Sequence, residues 1–402
     1  MDEWKETSLR DVSEEITYGY TASATMNPTG TKFLRITDIV NEPFDWDTVP
    51  FCEISDKDKQ KYKLHNGDIV IARTGATTGY NRTIQSVQNA VFASYLIRYK
   101  INPQKADPFY VGYNLKSYEW KGYVENIMGG SAQPGANAQQ FANYEFLLPP
   151  LPEQQAIAEV LGSLDDKIDL LHRNNRILEE MAETLFLQWF VVEAGNDWDK
   201  VLLGDFVSVL RGLSYKGSGL TERNDPKAVP MVNLNSIYER GSFKHEGIKY
   251  YNGEYKVRHE VYPGDVIVAN TEQGHEYRLI GYPAIVPRRL GKKGIFSQHV
   301  FKVIPKTDRL TSHFLYHLLS TPSVHDQIIG ATNGTTVNML SAVGIEKAEV
   351  SLPKNNEIRE FEDLVTPVYK KKEDNEDHIH TLEQLRDTLL PKLMSGEVRV
   401  TF

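Results

Sequence analysis

The feature that most constrains the fold is an internal duplication of the 402-residue chain. Residues 66–74 are NGDIVIART, and residues 263–271 are PGDVIVANT. Four further pairs of segments match in the same order: 33–39 with 231–237, 94–98 with 298–302, 148–153 with 352–357, and 178–181 with 382–385. The spacing between partners stays between 197 and 204 residues. Five ordered matches indicate that the chain folds as two similar halves.

Each half begins with a β-rich segment, predicted over residues 1–150 and 197–353. Short runs of Val, Ile, Phe and Tyr alternate there with Gly, Pro, Asn and Asp, a pattern typical of strands joined by tight turns. A repeated Gly-Asp turn leads into four apolar residues, and aromatic and Leu residues recur at helical spacing further on. The predicted elements are strands Ile69–Ala72 and Val266–Ala269 and helices near Pro108–Lys116 and Ser312–Ser320.

A long helix is predicted after each β-rich segment, over residues 151–196 and 354–402. In the first, mostly apolar residues recur at alternating steps of four and three, which defines the seam of a coiled coil. The seam positions are Ile157, Leu161, Leu164, Ile168, Leu171, Asn175, Leu178, Ala182, Leu185, Trp189 and Val192. A helix of about 40 residues would span ~60 Å.

The second helix continues this repeat with polar interruptions. Its seam positions are Phe361, Val365, Val368, Lys372, Asn375, Ile379, Leu382, Arg386, Leu389 and Leu393. A polar seam residue, such as Asn175 or Asn375, specifies register rather than adding stability. The two helices are expected to pair as an antiparallel coiled coil, with the two domains at opposite ends of a rod. The predicted fold class is α+β, with two β-rich α/β domains and an internal pseudo-two-fold duplication.

The charge is distributed unevenly between helices and domains. The formal net charge is −9; residues 151–197 contribute −7, whereas residues 198–353 carry +4. Phosphate binding depends on local patches, so an acidic total does not exclude a DNA-binding protein. It argues only against a general basic coat.

Composition also bears on location. Cys52 is the single cysteine, which excludes an intramolecular disulfide or a Cys-rich zinc site and is expected in a reducing compartment. The sequence contains no run of about 18 apolar residues, the length that a membrane-spanning helix needs. Residues 1–4, MDEW, lack the basic and apolar regions of a signal peptide. We expect a cytoplasmic protein with no membrane partner.

The segments that open and close the helices resemble those of a known family. Residues 147–158 (LLPPLPEQQAIA), 164–169 (LDDKID) and 389–397 (LLPKLMSGE) are similar to the spacer motifs of type I restriction-modification specificity subunits. The second opening, residues 352–358 (LPKNNEI), departs from the pattern by losing the Gln pair. The resemblance covers the whole chain in the order recognition domain, spacer, recognition domain, spacer.

This resemblance implies a non-catalytic subunit that determines DNA specificity. Each recognition domain, residues 1–150 and 197–353, would read one half of a split target in double-stranded DNA, and the spacer helices would set the distance between the halves. Two methyltransferase subunits would dock on the chain, and restriction subunits would join where the system has them. The partners would carry S-adenosylmethionine, ATP and Mg, and this chain would carry no cofactor.

The sequence itself contains no catalytic or metal-binding motif. The segment nearest to an adenine methyltransferase motif, Asp107–Tyr110, lacks the second proline and is typical of a helix start capped by Asp107. No Gly-x-x-x-x-Gly-Lys-Ser/Thr loop is present for ATP. The 11 histidines show no metal-ligand spacing, and His378 and His380 are expected to be exposed. These observations weigh against the alternative of a fused methyltransferase or nuclease.

The expected DNA contacts lie in the loop that follows the matched strand of each domain. Base edges are read by side chains such as Arg, Asn, Gln and Thr on loops, and these two loops differ while the strands agree. The candidates are Arg73, Thr74, Thr77, Thr78, Tyr80 and Arg82 in the first loop and Asn270, Gln273, His275, Tyr277 and Arg278 in the second. A solvated turn is the alternative for each loop.

Three interpretations stay open at this point. The loops 129–137 and 330–338 either contact DNA or only turn the chain. The basic turn 288–293 either contacts phosphates or is merely solvated. A coiled-coil adaptor without DNA contact is the structural alternative to a DNA-reading function, and the basic second domain and the divergent loops argue against it.

Overall fold

The computed structural model describes residues 4–40, 43–87, 89–128, 135–195, 198–274, 276–334, 337–353 and 355–400. The chain forms two compact units, the first made of residues 1–172 with 378–402 and the second of residues 173–377. The boundaries between these units fall inside the two long helices. The division into domains at residues 150, 196 and 353 follows the helix ends instead and stays a prediction.

The first unit contains short strands, short helices and the first part of a long helix. Its strands are β1 Lys5–Ser8, β2 Ser13–Tyr18, β3 Lys32–Leu34, β4 Ile69–Ala72, β5 Asn81–Thr83, β6 Ala90–Phe92, β7 Leu96–Ile101 and β8 Glu145–Leu148. Its helices are α1 Leu9–Val12, α2 Ile36–Ile39, α3 Asp56–Tyr62, α4 Pro108–Asn114, α5 Tyr118–Met128 and α6 Ala138–Ala142, and α7 Leu151–Leu187 continues into the second unit.

The second unit repeats the matched strands and long helix, with additional strands and with short 3₁₀ helices (Leu203–Asp205, Leu234–Ser236 and Val257–His259) where the first unit has α1, α2 and α3. The strands are β9 Asp199–Leu202, β10 Val207–Arg211, β11 Leu220–Thr221, β12 Val229–Val232, β13 Lys249–Tyr251, β14 Glu260–Val261, β15 Val266–Ala269, β16 Thr271–Gln273, β17 Pro283–Ile285, β18 Gly294–Phe296, β19 Val300–Pro305, β20 Thr332–Asn333, β21 Val337–Leu340 and β22 Glu349–Leu352. The helices are α8 Ser312–Ser320, α9 Pro322–Gly330, α10 Ala342–Glu346 and α11 Asn355–Met394, of which α11 continues into the first unit.

The sheets of the two units are built alike. The antiparallel order β2–β7–β4–β5 in the first unit corresponds to β10–β19–β15–β17 in the second. Each unit also has a parallel pair, β3–β6 or β12–β18, and the second unit extends this pair to five strands. The pairs β1–β8 and β9–β22 join the two ends of each domain. The duplication predicted from the sequence is confirmed, as are the strands β4 and β15.

The turn before the matched strand is stabilised in the same way in both units. Gly67 and Gly264 both have φ +89°, a left-handed conformation that favours glycine. The next residue, Asp68 or Asp265, accepts the backbone N–H three residues earlier at 2.8 Å. A cation of the neighbouring strand faces each carboxylate: Arg98 lies 3.8 Å from Asp68, and Lys302 lies 2.8 Å from Asp265. The repeated Gly-Asp sequence therefore encodes a turn held over a charged group of the sheet.

The two long helices pair antiparallel in each unit. In the first unit, Ile168 and Leu171 of α7 pack with Ile379 of α11. In the second unit, the rings of Phe186 and Phe361 lie 5.6 Å apart. The seam is apolar at these points, as a coiled coil requires. None of the described helices is long and apolar enough to cross a membrane.

The polar residues that interrupt the second seam have polar partners on α7. In the second unit, Lys372 lies 2.5 Å from Glu179, and the buried Asn375 amide donates to the Asn175 side-chain oxygen at 2.8 Å. In the first unit, Arg386 lies 2.8 Å from Asp165. Since each polar group meets its partner only in one alignment, these pairs fix the register of the helices.

Candidate nucleic-acid interface

In each unit the two loops singled out from the sequence meet. In the first unit, Thr74 forms a β-bridge with Gly135, and the Ala136 N–H donates to the Arg73 carbonyl at 3.0 Å. Residues 129–134 of the second loop lie outside the described residues. In the second unit, β16 pairs with β21, which joins the loop after the matched strand to the loop before the spacer. Loops that are about 60 residues apart thus contribute to one surface.

Arg73 is the cationic group at the start of the first loop. Its Nε–H donates to the Ser94 carbonyl at 3.1 Å, and the guanidinium lies 5.2 Å from the centre of the Tyr18 ring. The side chain is half-buried. A guanidinium has five N–H donors, so the bond from Nε orients the group and involves one of them. This arrangement suits a bidentate contact to a base edge.

The rest of the first loop is a short 3₁₀ turn at Gly75–Thr77. Thr78 follows it, is buried, and donates its hydroxyl to the Gly75 carbonyl at 2.7 Å. Gly79 has φ +85°, and a Cβ there would lie 2.7 Å from Val124. Thr77 is half-buried, and Tyr80 is 37% exposed. The loop therefore presents Thr77 and Tyr80, whereas Thr78 holds the turn.

Arg82 contacts the protein framework. Its Nε and one Nη donate to the Ile39 carbonyl at 3.2 and 3.1 Å, and its guanidinium lies 4.4 Å from the centre of the Phe44 ring. These bonds satisfy a carbonyl at the C-terminal end of α2. The sequence predicted a base contact for Arg82, but its Nε and one Nη donate to the backbone of helix α2.

The second loop is organised as a three-stranded ribbon in the order β16–β21–β20. Asn270, directly before β16, is buried and donates its amide to the Gln298 carbonyl at 3.0 Å. Glu272 accepts the backbone N–H groups of residues 278–280 at 2.9 to 3.1 Å. Asn338 of β21 donates to the Gly274 carbonyl. Asn270, Glu272 and Asn338 therefore hold the loop from inside.

Gln273, Tyr277 and Arg278 lie nearer to solvent than Asn270. Gln273 is exposed at the end of β16. Tyr277 is half-buried with φ +50°. Arg278 is 52% exposed and pairs with Glu276 at 3.0 Å and Glu239 at 3.7 Å. His275 lies outside the described residues.

The basic turn of the second unit is engaged with carboxylates. Arg288 lies 2.7 Å from Asp374 and 2.6 Å from Asp377, and these hydrogen bonds raise its pKa. Lys293 lies 2.6 Å from Glu260, a hydrogen bond that raises the pKa of Lys293. Arg288 is thus tied to α11 and Lys293 to the sheet. The phosphate contact and the solvated turn considered for residues 288–293 both stay predictions.

The segment nearest to a methyltransferase motif forms a helix start. Asp107 accepts the N–H groups of Phe109 and Tyr110 at 2.9 Å, which confirms the helix start interpretation of this segment. His378 is exposed as expected, whereas His380 is half-buried, with its side chain 30% exposed. Within the described residues, no group of three or more His, Cys, Asp or Glu side chains could hold a metal ion.

Sequence reasoning did not identify every residue that these surfaces present. Tyr95 is 57% exposed next to Ser94, whose carbonyl accepts from Arg73. Val337 and Met339 are each 47% exposed on β21. Val337 and Met339 alternate with buried residues along the strand. Which of the alternating residues are exposed can be read from the sequence only once the strand register is known.

The type I restriction modification DNA specificity domain matches this chain twice, over residues 1–180 and 195–386. The chain belongs to this family of DNA-specificity proteins. The two matches correspond to the two halves of the duplication, so this specificity protein carries two DNA specificity domains.

Relatives and solved structures agree with this assignment. The type I restriction enzyme MjaIX specificity subunit of Methanocaldococcus jannaschii is 27% identical over 72% of this chain and 69% of its own length. The HindI specificity subunit of Haemophilus influenzae is 25% identical over 99% of this chain and 100% of its own length. The crystal structure of the S subunit from M. genitalium has the same fold, with a TM-score of 0.59, 15% identity and coverage of 97% and 96% of the two chains.

Proposed function

We propose that this specificity protein selects a bipartite DNA target for a type I restriction-modification complex and performs no catalysis itself. The observation that carries the proposal is the duplication: two specificity domains in one chain, each with a pair of loops brought together at the end of the same strand. Two similar readers with different loops suit two different half-sites. The residues proposed to read them are Arg73, Thr74, Thr77 and Tyr80 in the first domain and Gln273, His275, Tyr277 and Arg278 in the second.

Thr78, Arg82 and Asn270 are better explained as supports. Each has its side chain bonded to a backbone carbonyl of its own domain, and Thr78 and Asn270 are buried. A base contact would require these bonds to be exchanged. Their proposed role is therefore to hold the reading loops in place.

The chemistry is proposed to belong to partner subunits. Two methyltransferase subunits, with S-adenosylmethionine, would dock on the chain, and restriction subunits would add ATP-dependent cleavage in the cytoplasm. Relatives of this chain are named specificity subunits of type I restriction enzymes. Ile177 and Met181 are 53% and 55% exposed one turn apart on α7, and such an apolar pair on a helix surface suits a protein partner.

The proposal is tested by mapping methylated sites in a host that expresses this chain with its methyltransferase subunits. The expected result is one motif made of two half-sites with a fixed gap. No methyl transfer is expected from the purified chain alone. A single contiguous motif, or methyl transfer by the chain alone, would contradict the proposal.

A further inference from the structure

The three-stranded ribbon of the second unit has one face that is exposed and uncharged. On β21, Val337 lies opposite Gln273 of β16, and Met339 lies opposite Asn333 of β20. Directly opposed residues of an antiparallel pair share a face, and residues two apart on a strand share it too. Gln273, Asn333, Val337 and Met339 therefore form one surface, named here the ribbon face. Thr271, which lies opposite Met339, is on the same side but is 5% exposed, and its hydroxyl bonds the His299 ring at 3.2 Å.

Burial distinguishes the two sides of the ribbon. Val337 and Met339 are each 47% exposed, and Gln273 and Asn333 are exposed as well. The alternate residues of β21, Asn338 and Leu340, are 2% and 5% exposed. Asn338 and Leu340 thus pack on the domain, and the four residues of the ribbon face are accessible beside the covered Thr271.

The backbone beneath the ribbon face is held by side chains that point away from it. The Asn338 amide bonds the Gly274 carbonyl, and the Glu272 carboxylate collects three N–H groups of residues 278–280. A surface organised in this way loses little conformational freedom when it binds. Asn338 and Glu272 therefore stabilise the backbone of the ribbon, and the exposed residues of the ribbon face are available to recognise a ligand.

The chemistry of the ribbon face matches one kind of base pair. Asn and Gln amides form bidentate hydrogen bonds with the N6 and N7 groups of adenine, and apolar side chains contact the C5-methyl group of thymine. The major groove is wide enough to admit a β-ribbon, and it distinguishes A·T from T·A. Guanine is read mainly by Arg or Lys, and the four side chains of the ribbon face are neutral.

We infer that the ribbon face reads A·T base pairs in the major groove of the half-site recognised by the second domain. Gln273 and Asn333 contact adenines, and Val337 and Met339 contact thymine methyl groups. The inference rests on the proposed function, because it assigns a base preference to one of the two proposed readers.

The experiment uses the complex of this chain with its methyltransferase subunits and its selected target duplex. Deoxyuridine replaces each thymine in turn, which removes one methyl group, and 7-deazaadenine replaces each adenine, which removes the N7 acceptor. We expect about fourfold weaker binding for a lost methyl contact and about fivefold or more for a lost adenine contact, in one half-site only.

Variants then connect these effects to residues. V337A or M339A should abolish the sensitivity to deoxyuridine, and Q273A or N333A the sensitivity to 7-deazaadenine. V257A removes a valine that is 79% exposed outside the ribbon, and it should leave both sensitivities unchanged. Because the readout is a loss of sensitivity by a complex that still binds, a variant that merely unfolds does not imitate the expected result.

Four results would overturn the inference. The half-site of the second domain could lack A·T pairs, or both analogues could leave binding unchanged throughout that half; the bipartite target, and with it the proposed function, would then stand. The ribbon variants could instead weaken only the binding of methyltransferase subunits, which would make the ribbon face a protein interface. A target without two halves would overturn the proposed function together with the inference.

Discussion

The two domains share a framework and differ in the surfaces that their loops present. Both have a glycine at φ +89° before the matched strand, and both have a carboxylate that faces a cation of the sheet. At the end of that strand, the first domain has a 3₁₀ turn at Gly75–Thr77 and a half-buried Arg73, whereas the second has a three-stranded ribbon whose ribbon face is uncharged. The two domains thus differ in the loops that follow the matched strands, and the buried sheet does not depend on the sequence of these loops.

This comparison separates residues that stabilise the fold from residues that select DNA. Variants of the shared framework should lower stability, and the effect should follow burial. Variants of the loops should change base preference in one half-site and leave stability nearly unchanged.

The largest expected effect is on the shared ion pair. R98A should destabilise the chain by about 3–5 kcal/mol, because it leaves the Asp68 carboxylate, which is 2% exposed, without its arginine and also removes the bonds from Arg98 to Glu15 and to the Lys63 carbonyl. K302A should cost about 2–3 kcal/mol, since Asp265 is 26% exposed and keeps partial hydration. Urea denaturation measures both. The control is K100A, which removes an exposed pair with Glu14 and should change stability by less than about 0.5 kcal/mol. Equal losses for R98A and K302A would contradict the dependence on burial.

The next effect concerns the helix pair, whose seam is apolar around Ile168 and polar around Lys372. Burial disfavours the charged form of Lys372, but Glu179 and Glu376 outweigh it and raise its pKa. K372A should cost about 2 kcal/mol, less than a fully buried pair, because the Glu179 side chain is 38% exposed. K372M, which retains apolar volume without charge, should recover none of the electrostatic part. An unchanged urea midpoint for K372A would show that the polar section of the seam does not contribute to stability.

Within the first domain, Arg73 and Arg82 should behave differently. R73A should weaken binding to the cognate half-site by about 1–3 kcal/mol and relax one base position. R82A removes the donors to the Ile39 carbonyl, so it should lower stability by about 1–2 kcal/mol and leave base preference unchanged. Binding to a set of single-base target variants, together with thermal unfolding, measures both. Uniform weakening by R73A across all targets would make Arg73 a phosphate contact.

The smallest effect is a pH dependence that distinguishes the units. Burial lowers the pKa of His259, His317 and His325, all in the second unit, and that of His317 to about 3. The unfolded chain takes up protons near pH 6.5, so the folded state loses stability as the pH falls below that value. Between pH 7 and pH 5, His317 should cost about 1–2 kcal/mol.

Hydrogen exchange with mass spectrometry at pH 7 and pH 5 can follow both units in one sample. Protection should fall first in residues 198–353, and H317Q should reduce the difference between the two pH values. H378Q changes an exposed histidine and should leave it unchanged. An equal loss of protection in both units would contradict the expectation.

Much of the fold could be predicted from the sequence because periodicity and repetition carry it. The duplication, strands Ile69–Ala72 and Val266–Ala269, helix Ser312–Ser320 and the antiparallel helix pair are confirmed. The partners of Lys372, Asn375 and Arg386 could not be assigned, because they lie about 200 residues away in the chain and depend on helix register.

The candidate site was less accessible to prediction from sequence. Residue type and loop position cannot distinguish Arg73 from Arg82. Arg73 donates one hydrogen bond, from Nε to the Ser94 carbonyl, whereas Arg82 donates from Nε and one Nη to the Ile39 carbonyl. The ribbon face was missed because it depends on pairing between residues 271–273 and 332–340. Such tertiary pairing decides which of two neighbouring polar residues faces solvent.

The central claim is that one framework carries two independent readers, and selection from a random duplex library tests it most directly. The complex of this chain with its methyltransferase subunits is used as wild type, as R73A and as Q273A. We predict that R73A relaxes a position in one half-site, Q273A relaxes a position in the other, and the gap between them is unchanged. Relaxation of the same half-site by both variants, or equal weakening of both halves by either one, would contradict the account.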